Sequence, residues 1–477
     1  MHTLRIAIAG ANGYVGRHLI PELLKKNYEI KALVRKKDRH TEFTGVRYVV
    51  GDCEDGTGLN ELLTGADIAY YLVHSLDSSK DIKNVEKRCA ENFAQAAHKA
   101  RVRRVIYLSG LGQNEEPLSV HLSSRHAVGE IFRNRLEDVV EFRASAIFGA
   151  GSTSYEMISF LVERLPVLIL PKWIFNKTQP VSITDALYYL EAAADIARKL
   201  PSIIEIGGAD VVSYQQMMMA YAKRRDLKRL MIAVPFLSLT LSSWWLCIIT
   251  PLQARVGRHI IESLRNDTVL NSRASLELFD HRPLSIDQMV DQALADETQE
   301  ILSPQKDHIW RFDKAKRMFG CRFGRYIIRR DDILIAAQPE QVFSIICQIG
   351  GKNGWYYLTF LWHLRALLDR LMGGPGCSKG KSALPLSNGD YIDCWNIKEI
   401  KAPERLVLNS LMKMPGDAYL EFEIIRENNK TLLYQIALFR PKGLFGSCYW
   451  FILYPIHIWL FEGLLHAIKN KAEFRYQ

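Results

Sequence analysis

Near the start of the chain, the run Gly10-Ala11-Asn12-Gly13-Tyr14-Val15-Gly16 puts glycine at every third position. Between a strand and a helix, such a run cradles phosphate. Gly10 permits a tight turn, Gly13 lets backbone approach a pyrophosphate, and Gly16 lets the helix pack close to the strand. The helix start at Tyr14 and Val15 then offers unsatisfied N–H groups to the anion. The next apolar run ends at Arg35, followed by Lys36. An acidic residue there would bond the ribose 2′-hydroxyl of NAD(H), whereas a guanidinium matches a 2′-phosphate. NADP(H) is therefore the expected cofactor, with NAD(H) second. A plain surface arginine is the alternative. Asp52 and Cys53 follow the third strand, where a carboxylate can approach the adenine amino group. Val73, His74 and Ser75 follow the fourth and would line the middle of the cofactor, and Ser109 and Gly110 close the fifth. Beyond them, His121, Arg125 and His126 offer polar groups, and a histidine can act as an acid near neutral pH.

The elements that must position these residues alternate in type. Apolar runs at 4–9, 29–34, 46–50, 68–73, 105–109 and 139–145 read as strands. Helical periodicity falls at 14–26, 59–63, 81–100 and 123–134, with a stripe through Val85, Cys89, Phe93 and Ala96. This alternation predicts an α/β fold with a Rossmann-type, doubly wound parallel sheet in residues 1–150. Residues 150–300 are irregular and helix-rich and would supply a substrate region, which makes 1–300 one domain. Residues 301–320, charged and containing Pro304, read as a linker. Residues 321–477 form a second, α+β domain. It has a strand at 326–336, a helix at 340–349, strands at 391–400, 405–411, 418–426 and 430–439, and a closing helix at 454–471. That order describes a helix-grip layout, in which the last helix lies across a curved sheet.

Composition narrows the partners. A net charge of +10 without a long Lys/Arg tract argues against nucleic acid and suits an anionic cofactor or an acidic membrane surface. The eight cysteines form no CxxC pair and no metal-ligand spacing, so they read as free thiols of a cytoplasmic protein with no bound metal. A strand begins almost at Met1, which leaves no signal peptide. Residues 230–254 carry no charge and are long enough to span a bilayer. Pro235, Pro251 and the hydroxyls of Thr240, Ser242 and Ser243 favour a buried helix pair or a pocket wall. Peripheral contact with the inner membrane stays open, and the oligomeric state is not legible.

These motifs resemble the atypical, NmrA-like short-chain dehydrogenase/reductases, in the branch that adds a C-terminal DUF2867 domain of helix-grip (START-like) type. Besides the glycine turn, the resemblance rests on Tyr70-Tyr71-Leu72-Val73-His74-Ser75 and Phe142-Arg143-Ala144-Ser145-Ala146-Ile147-Phe148-Gly149. In the second half it rests on Asn353-Gly354-Trp355-Tyr356-Tyr357, Leu367-Leu368-Asp369-Arg370-Leu371 and Gly443-Leu444-Phe445-Gly446-Ser447-Cys448-Tyr449-Trp450. The first half is also similar to the dinucleotide-binding accessory subunit of respiratory complex I. The resemblance implies a bacterial NAD(P)-binding protein whose substrate it does not specify.

It also implies a Tyr and a Lys four residues later on the helix after the fifth strand, with Ser109 near the place of the catalytic Ser. Anchoring on Ala127-Val128-Gly129-Glu130 puts Leu122 and His126 at those two positions, so the usual pair is missing. His126 and Arg125 are the nearest substitutes, as catalytic groups or as contacts to the ribose or a phosphate. Tyr107 and Tyr155 are other acids, with no Lys four residues on. Two readings follow. One is an NADP(H)-dependent oxidoreductase acting on an apolar small molecule. The other is a cofactor-holding redox sensor or assembly factor without turnover.

Overall fold

In Arg5–Ala9 (β1), Ile6 and Ile8 face one side of a sheet while Ala7 and Ala9 face the other. All four are buried, the signature of a strand covered on both faces. A computed structural model gives the arrangement, and it describes residues 3–35, 43–74, 82–112, 119–234, 267–302, 321–323, 326–376, 380–427 and 430–474. Contacts divide the chain into two compact units, Met1–Val162 with Pro166–Ile301, and Glu163–Leu165 with Leu302–Gln477.

In the first unit, β1 leads through the glycine turn to Tyr14–Lys25 (α1). Then come Glu29–Val34 (β2), Val46–Val50 (β3), Leu59–Leu63 (α2), Ile68–Tyr71 (β4) and Ile82–Lys99 (α3). Arg104–Gly110 (β5), Val120–Arg135 (α4) and Val139–Ala144 (β6) follow, and Ile203–Ile206 (β7) completes the sheet. The strand order is β7-β6-β5-β4-β1-β2-β3, and every pairing is parallel. The order of strand addition reverses between β1 and β4, the crevice where α/β sheets bind ligands. The stripe Val85, Cys89, Phe93 and Ala96 of α3 is buried as its periodicity requires.

Two sequence readings need correction, and a third falls largely outside the described residues. The stretch after residue 150 contributes the seventh strand, β7, which its flanking loops had hidden. Residues 230–254 begin as a strand, Leu230–Ala233, paired parallel with Val167–Leu170, and not as a helix; residues 235–254 lie outside the described residues. The linker at 301–320 lies outside them too, except that a helix, Ile286–Leu302, ends there.

The second unit is an antiparallel sheet of seven strands. They are Cys321–Phe323 (β8), Tyr326–Ile335 (β9), Tyr391–Ile392 (β10), Trp395–Lys401 (β11), Arg405–Ser410 (β12), Gly416–Glu427 (β13) and Lys430–Pro441 (β14). Their order is β8-β9-β14-β13-β12-β11-β10. The helix Pro339–Cys347 and a long closing helix, Gly443–Phe474, pack on this sheet around a core that includes Trp355, Trp395, Phe422 and Trp450. The closing helix starts eleven residues before the expected 454, because Pro455 sits on its exposed side, where a missing N–H is tolerated. A further helix, Thr359–Leu371, lies between β9 and β10 in sequence. Sequence periodicity missed it because its outward face is apolar.

Candidate functional site

The glycine turn sits at the switch point. Gly10 has φ of +92°, and a Cβ there would stand 2.5 Å from the Leu72 carbonyl carbon, so β1 and the chain leaving β4 touch through bare backbone. A Cβ at Gly16 would lie 2.4 Å from the Gly10 carbonyl oxygen, which fixes how closely α1 approaches its own turn. A Cβ at Gly13 would meet only that oxygen, at 3.2 Å, and otherwise open space. Gly13 is also the residue that begins α1, with no side-chain cap. The first N–H groups of the helix are therefore left for an anion, and the cradle fits a dinucleotide pyrophosphate. Asn12 is exposed beside it, while Tyr14 and Val15 are half-buried.

Arg35, directly after β2, is exposed and makes no ion pair with any described residue. Lys36 and Ser75 lie outside the described residues. Asp52 spends a carboxylate oxygen on the Glu54 N–H, at 2.9 Å, shaping the turn after β3. Cys53 is buried, and burial pushes its thiol well above the ordinary value, so it stays protonated. Val73 accepts through its carbonyl oxygen from Arg125.

At the C-terminal ends of β4 and β5, a polar cluster forms around α4. Ser119 caps this helix by accepting from the Leu122 N–H at 3.2 Å. One turn on, Arg125 reaches back under the strands. Its guanidinium donates to the carbonyls of Val73, at 3.0 Å, and of Leu108, and lies over the Tyr107 ring. His121, one turn before Arg125, stacks on His74 with ring centroids 4.8 Å apart. Behind them is Glu86 of α3, 4% exposed, which accepts from the Ser124 hydroxyl. Its other oxygen is buried without a hydrogen bond, 3.7 Å from His74 Nδ1. Burial alone would raise the Glu86 pKa, but His74, the Arg125 charge and Ser124 together hold it well below the usual carboxylate range. Burial lowers the His74 pKa against the opposing pull of Glu86. At neutral pH the cluster thus sets a carboxylate and a guanidinium around the His74 imidazole, which stacks on His121.

The remaining sequence candidates are placed differently. His126 makes a different contact, its Nε2 lying 3.1 Å from the Gly110 carbonyl oxygen at the end of β5. Its pKa is lowered by burial first and by Arg143 second. Leu122 packs so tightly on Gly110 that a Cβ there would stand 2.6 Å away. The Ser109 hydroxyl is buried and makes no hydrogen bond with a described residue. Tyr107 donates to the Arg125 carbonyl, and Tyr155 donates to Glu297 at 2.9 Å. Sequence reasoning missed Glu86 altogether. Its signal was a carboxylate one residue after Val85, on the side of α3 that buries Ala90.

His74, Glu86 and His121 bring three ligand-type atoms within 4.8 Å of one another. The two imidazole planes differ by only 27° and stack, so their lone pairs lie in separate, nearly parallel planes, a poor arrangement for converging on one ion. A guanidinium also stands beside them. The arrangement suits proton handling better than a cation.

A doubly wound sheet with a bare glycine cradle at its switch point defines an NAD(P)-binding, oxidoreductase-like protein. Residues 10–147 match the NAD(P)H-binding family, and residues 329–464 match a family described as protein of unknown function (DUF2867). The chain therefore joins an NAD(P)H-binding domain to a DUF2867 domain. Among curated proteins, it is similar to a ceramide reductase of Caulobacter vibrioides, 29% identical over 167 residues, covering 34% of this chain and 52% of that protein. It is also similar to a 4-hydroxy-2-methyl-3-oxo-4-farnesyl-3,4-dihydroquinoline-1-oxide ketoreductase of Stigmatella aurantiaca, 24% identical over 111 residues, covering 22% and 33%. The chain thus spans about half or less of the length of these relatives. Among solved structures, an epimerase from Methanothermobacter thermautotrophicus shares the fold, with a TM-score of 0.51 and 14% identity, covering 63% of this chain and 94% of that one.

Proposed function

We propose that the protein is an NADP(H)-dependent reductase of a carbonyl group on an apolar small molecule. The observation that carries the cofactor preference is Arg35, an exposed guanidinium at the end of β2 that pairs with no described residue. The names of the two reductase relatives put ceramide and a farnesylated ketone among their substrates, which supports an apolar substrate here. The free thiols Cys53, Cys89, Cys347, Cys394 and Cys448 support a reducing, cytoplasmic setting.

When bound, NADPH supplies a hydride to the carbonyl carbon. The turn Gly10–Gly13 and the start of α1 hold its pyrophosphate, and Arg35 holds its 2′-phosphate. The usual Tyr and Lys are separated by four residues, and so are His121 and Arg125, which share one face of α4. In this reading His121 holds the proton that the reduced oxygen takes up. Arg125, locked by two carbonyls, supplies the fixed positive charge. Glu86 orients His74 against the His121 ring. His126 is a positioning residue that holds the end of β5 through Gly110.

The second reading, a cofactor-holding protein without turnover, draws on two observations: the Ser109 hydroxyl is buried, and Leu122 stands at the place expected for Tyr. The test is a fluorescence titration of the purified protein with NADPH and NADH, followed by NADPH oxidation assays on long-chain ketones. NADPH should bind about tenfold tighter, equivalent to about 1.4 kcal/mol, and Arg35→Asp should erase or reverse the difference. Equal affinities in the parent protein sink the cofactor assignment. Tight NADPH binding with no oxidation by any ketone favours the non-catalytic reading.

A further inference from the structure

Two helices of the second unit carry apolar faces that no described residue covers. Thr359–Leu371 turns Phe360, Leu364, Leu367, Leu368 and Leu371 outward, with Leu371 76% exposed. Their spacing of three and four residues makes one stripe. The closing helix turns out Phe445, Ile452, Ile456 and Trp459, with Ile452 74% exposed. Between Lys442 and Glu462 it holds no charged residue. By length and composition this helix could cross a membrane. Its opposite face, however, buries Trp450, Tyr454, Phe461 and Leu464 in the core of the sheet. Spanning would strip that core, so the helix has to lie flat on whatever covers it.

The two faces are neighbours. Tyr357, just ahead of the first helix, meets Trp459 edge-on with ring centroids 6.1 Å apart. At the other end, the Lys413 N–H donates to Asp369 at 2.6 Å, and the Lys442 N–H donates to the Pro415 carbonyl at 2.8 Å. The start of the first helix therefore lies beside the middle of the closing helix, and its end is tied through the 413–415 loop to the closing helix's start, so the two run in opposite directions. Each helix thus leaves several large apolar side chains open to solvent, Leu371 and Ile452 among them.

We propose that this surface docks on an anionic phospholipid bilayer, with both helices lying in the interface plane. Charge selects this occupant. Lys413 and Lys442 rim a cavity of about 280 Å³ at the end of the apolar surface, with Asn409 and Ser410 in its lining. Two ammonium groups, an amide and a hydroxyl suit a phosphate headgroup. Asp417 also lines the cavity, 3.9 Å from Lys442, and leaves Lys413 the more available cation. The chain's net charge of +10 favours an acidic surface and opposes pairing with a second copy.

The test is flotation of the full chain with phosphatidylcholine vesicles, with and without phosphatidylglycerol. The protein should float with the anionic vesicles and dissociate at high salt. Lys413→Glu with Lys442→Glu should weaken binding about tenfold or more. Leu371→Glu with Ile452→Glu should abolish it at unchanged melting temperature, since neither side chain is in the core. The proposal fails if the parent floats with neither vesicle, or if the Leu371/Ile452 double variant floats as well as the parent. It also fails if sedimentation shows a dimer that Ile452→Glu dissolves, because the surface is then a self-interface. NADPH binding, measured separately, keeps this outcome distinct from that of the reductase reading.

Discussion

Arg125 is 7% exposed, meets no carboxylate of a described residue directly, and spends donors on two backbone carbonyls. Such a buried cation is costly to remove in pieces, because its partners lose their bonds with it. Its neighbour along the helix points elsewhere, since one residue of α-helix is a rotation of about 100°. His121 and His126 should therefore respond differently to truncation. His121→Ala should lower the rate of ketone reduction about a hundredfold or more, as loss of a general acid does, with NADPH affinity nearly unchanged. His126→Ala should lower stability by about 1 kcal/mol through the lost Gly110 contact, with a smaller effect on rate. Steady-state kinetics and thermal melts of both variants check this, and the reverse pattern would restore His126 to the active role. The glycine turn was legible because its chemistry is local: three glycines, a preceding strand and a following helix suffice. The register on α4 was not. Pairs spaced by four occur at 121/125 and at 122/126, and only the strand ends show which pair faces Glu86.

Elements were legible in sequence where one face is apolar and the other polar, as in α3. They were misread where that contrast inverts or vanishes. Thr359–Leu371 buries Trp362, Ala366 and Asp369 and exposes leucines, so its period points outward. The closing helix is apolar all round in its first half, and its start at Gly443 was hidden behind Pro455. Packing inside that helix has a measurable consequence. His457 lies between Trp450 and Phe461, with its Nδ1 buried and without a hydrogen bond. Burial, followed by the charges of Arg329 and Arg365, pushes its pKa down to about 4. An unfolded histidine titrates near 6.5, so on acidification the unfolded chain takes the proton first. The stability from a neutral His457 is present above about pH 6.5 and lost as the pH falls toward 4, up to about 3 kcal/mol in all. His457→Gln should shrink the drop in melting temperature between neutral pH and about pH 4.5. If parent and variant lose the same number of degrees, His457 is not the acid-sensitive group.

At the scale of the whole molecule, the change from parallel α/β alternation to antiparallel strands was visible in the spacing of apolar runs, and the three hydrophobic cores keep to it. One core draws only on residues from Ile327 to Ala472, while the cores flanking the parallel sheet draw on residues from Ile6 to Phe279. One buried ion pair of the second unit lies wholly within residues 321–477. Arg405 and Glu421, each 4% exposed at the side chain, pair at 2.7 Å across adjacent strands. A buried pair of this kind destabilises strongly when one partner is missing, and both partners belong to the same unit. A fragment of residues 321–477 should therefore fold alone. Its near-ultraviolet dichroism should show the stacked indoles of Trp355 and Trp362, whose ring centroids lie 4.2 Å apart. Its thermal unfolding should be a single cooperative transition. Carrying Leu371→Glu and Ile452→Glu, the fragment should stay monomeric and keep both signatures. Arg405→Leu should remove about 3 kcal/mol or more from its stability, because Glu421 is left buried without its cation. A fragment with helical far-ultraviolet signal but no near-ultraviolet bands and no cooperative transition would mean that the antiparallel sheet packs only in the presence of the dinucleotide-binding unit.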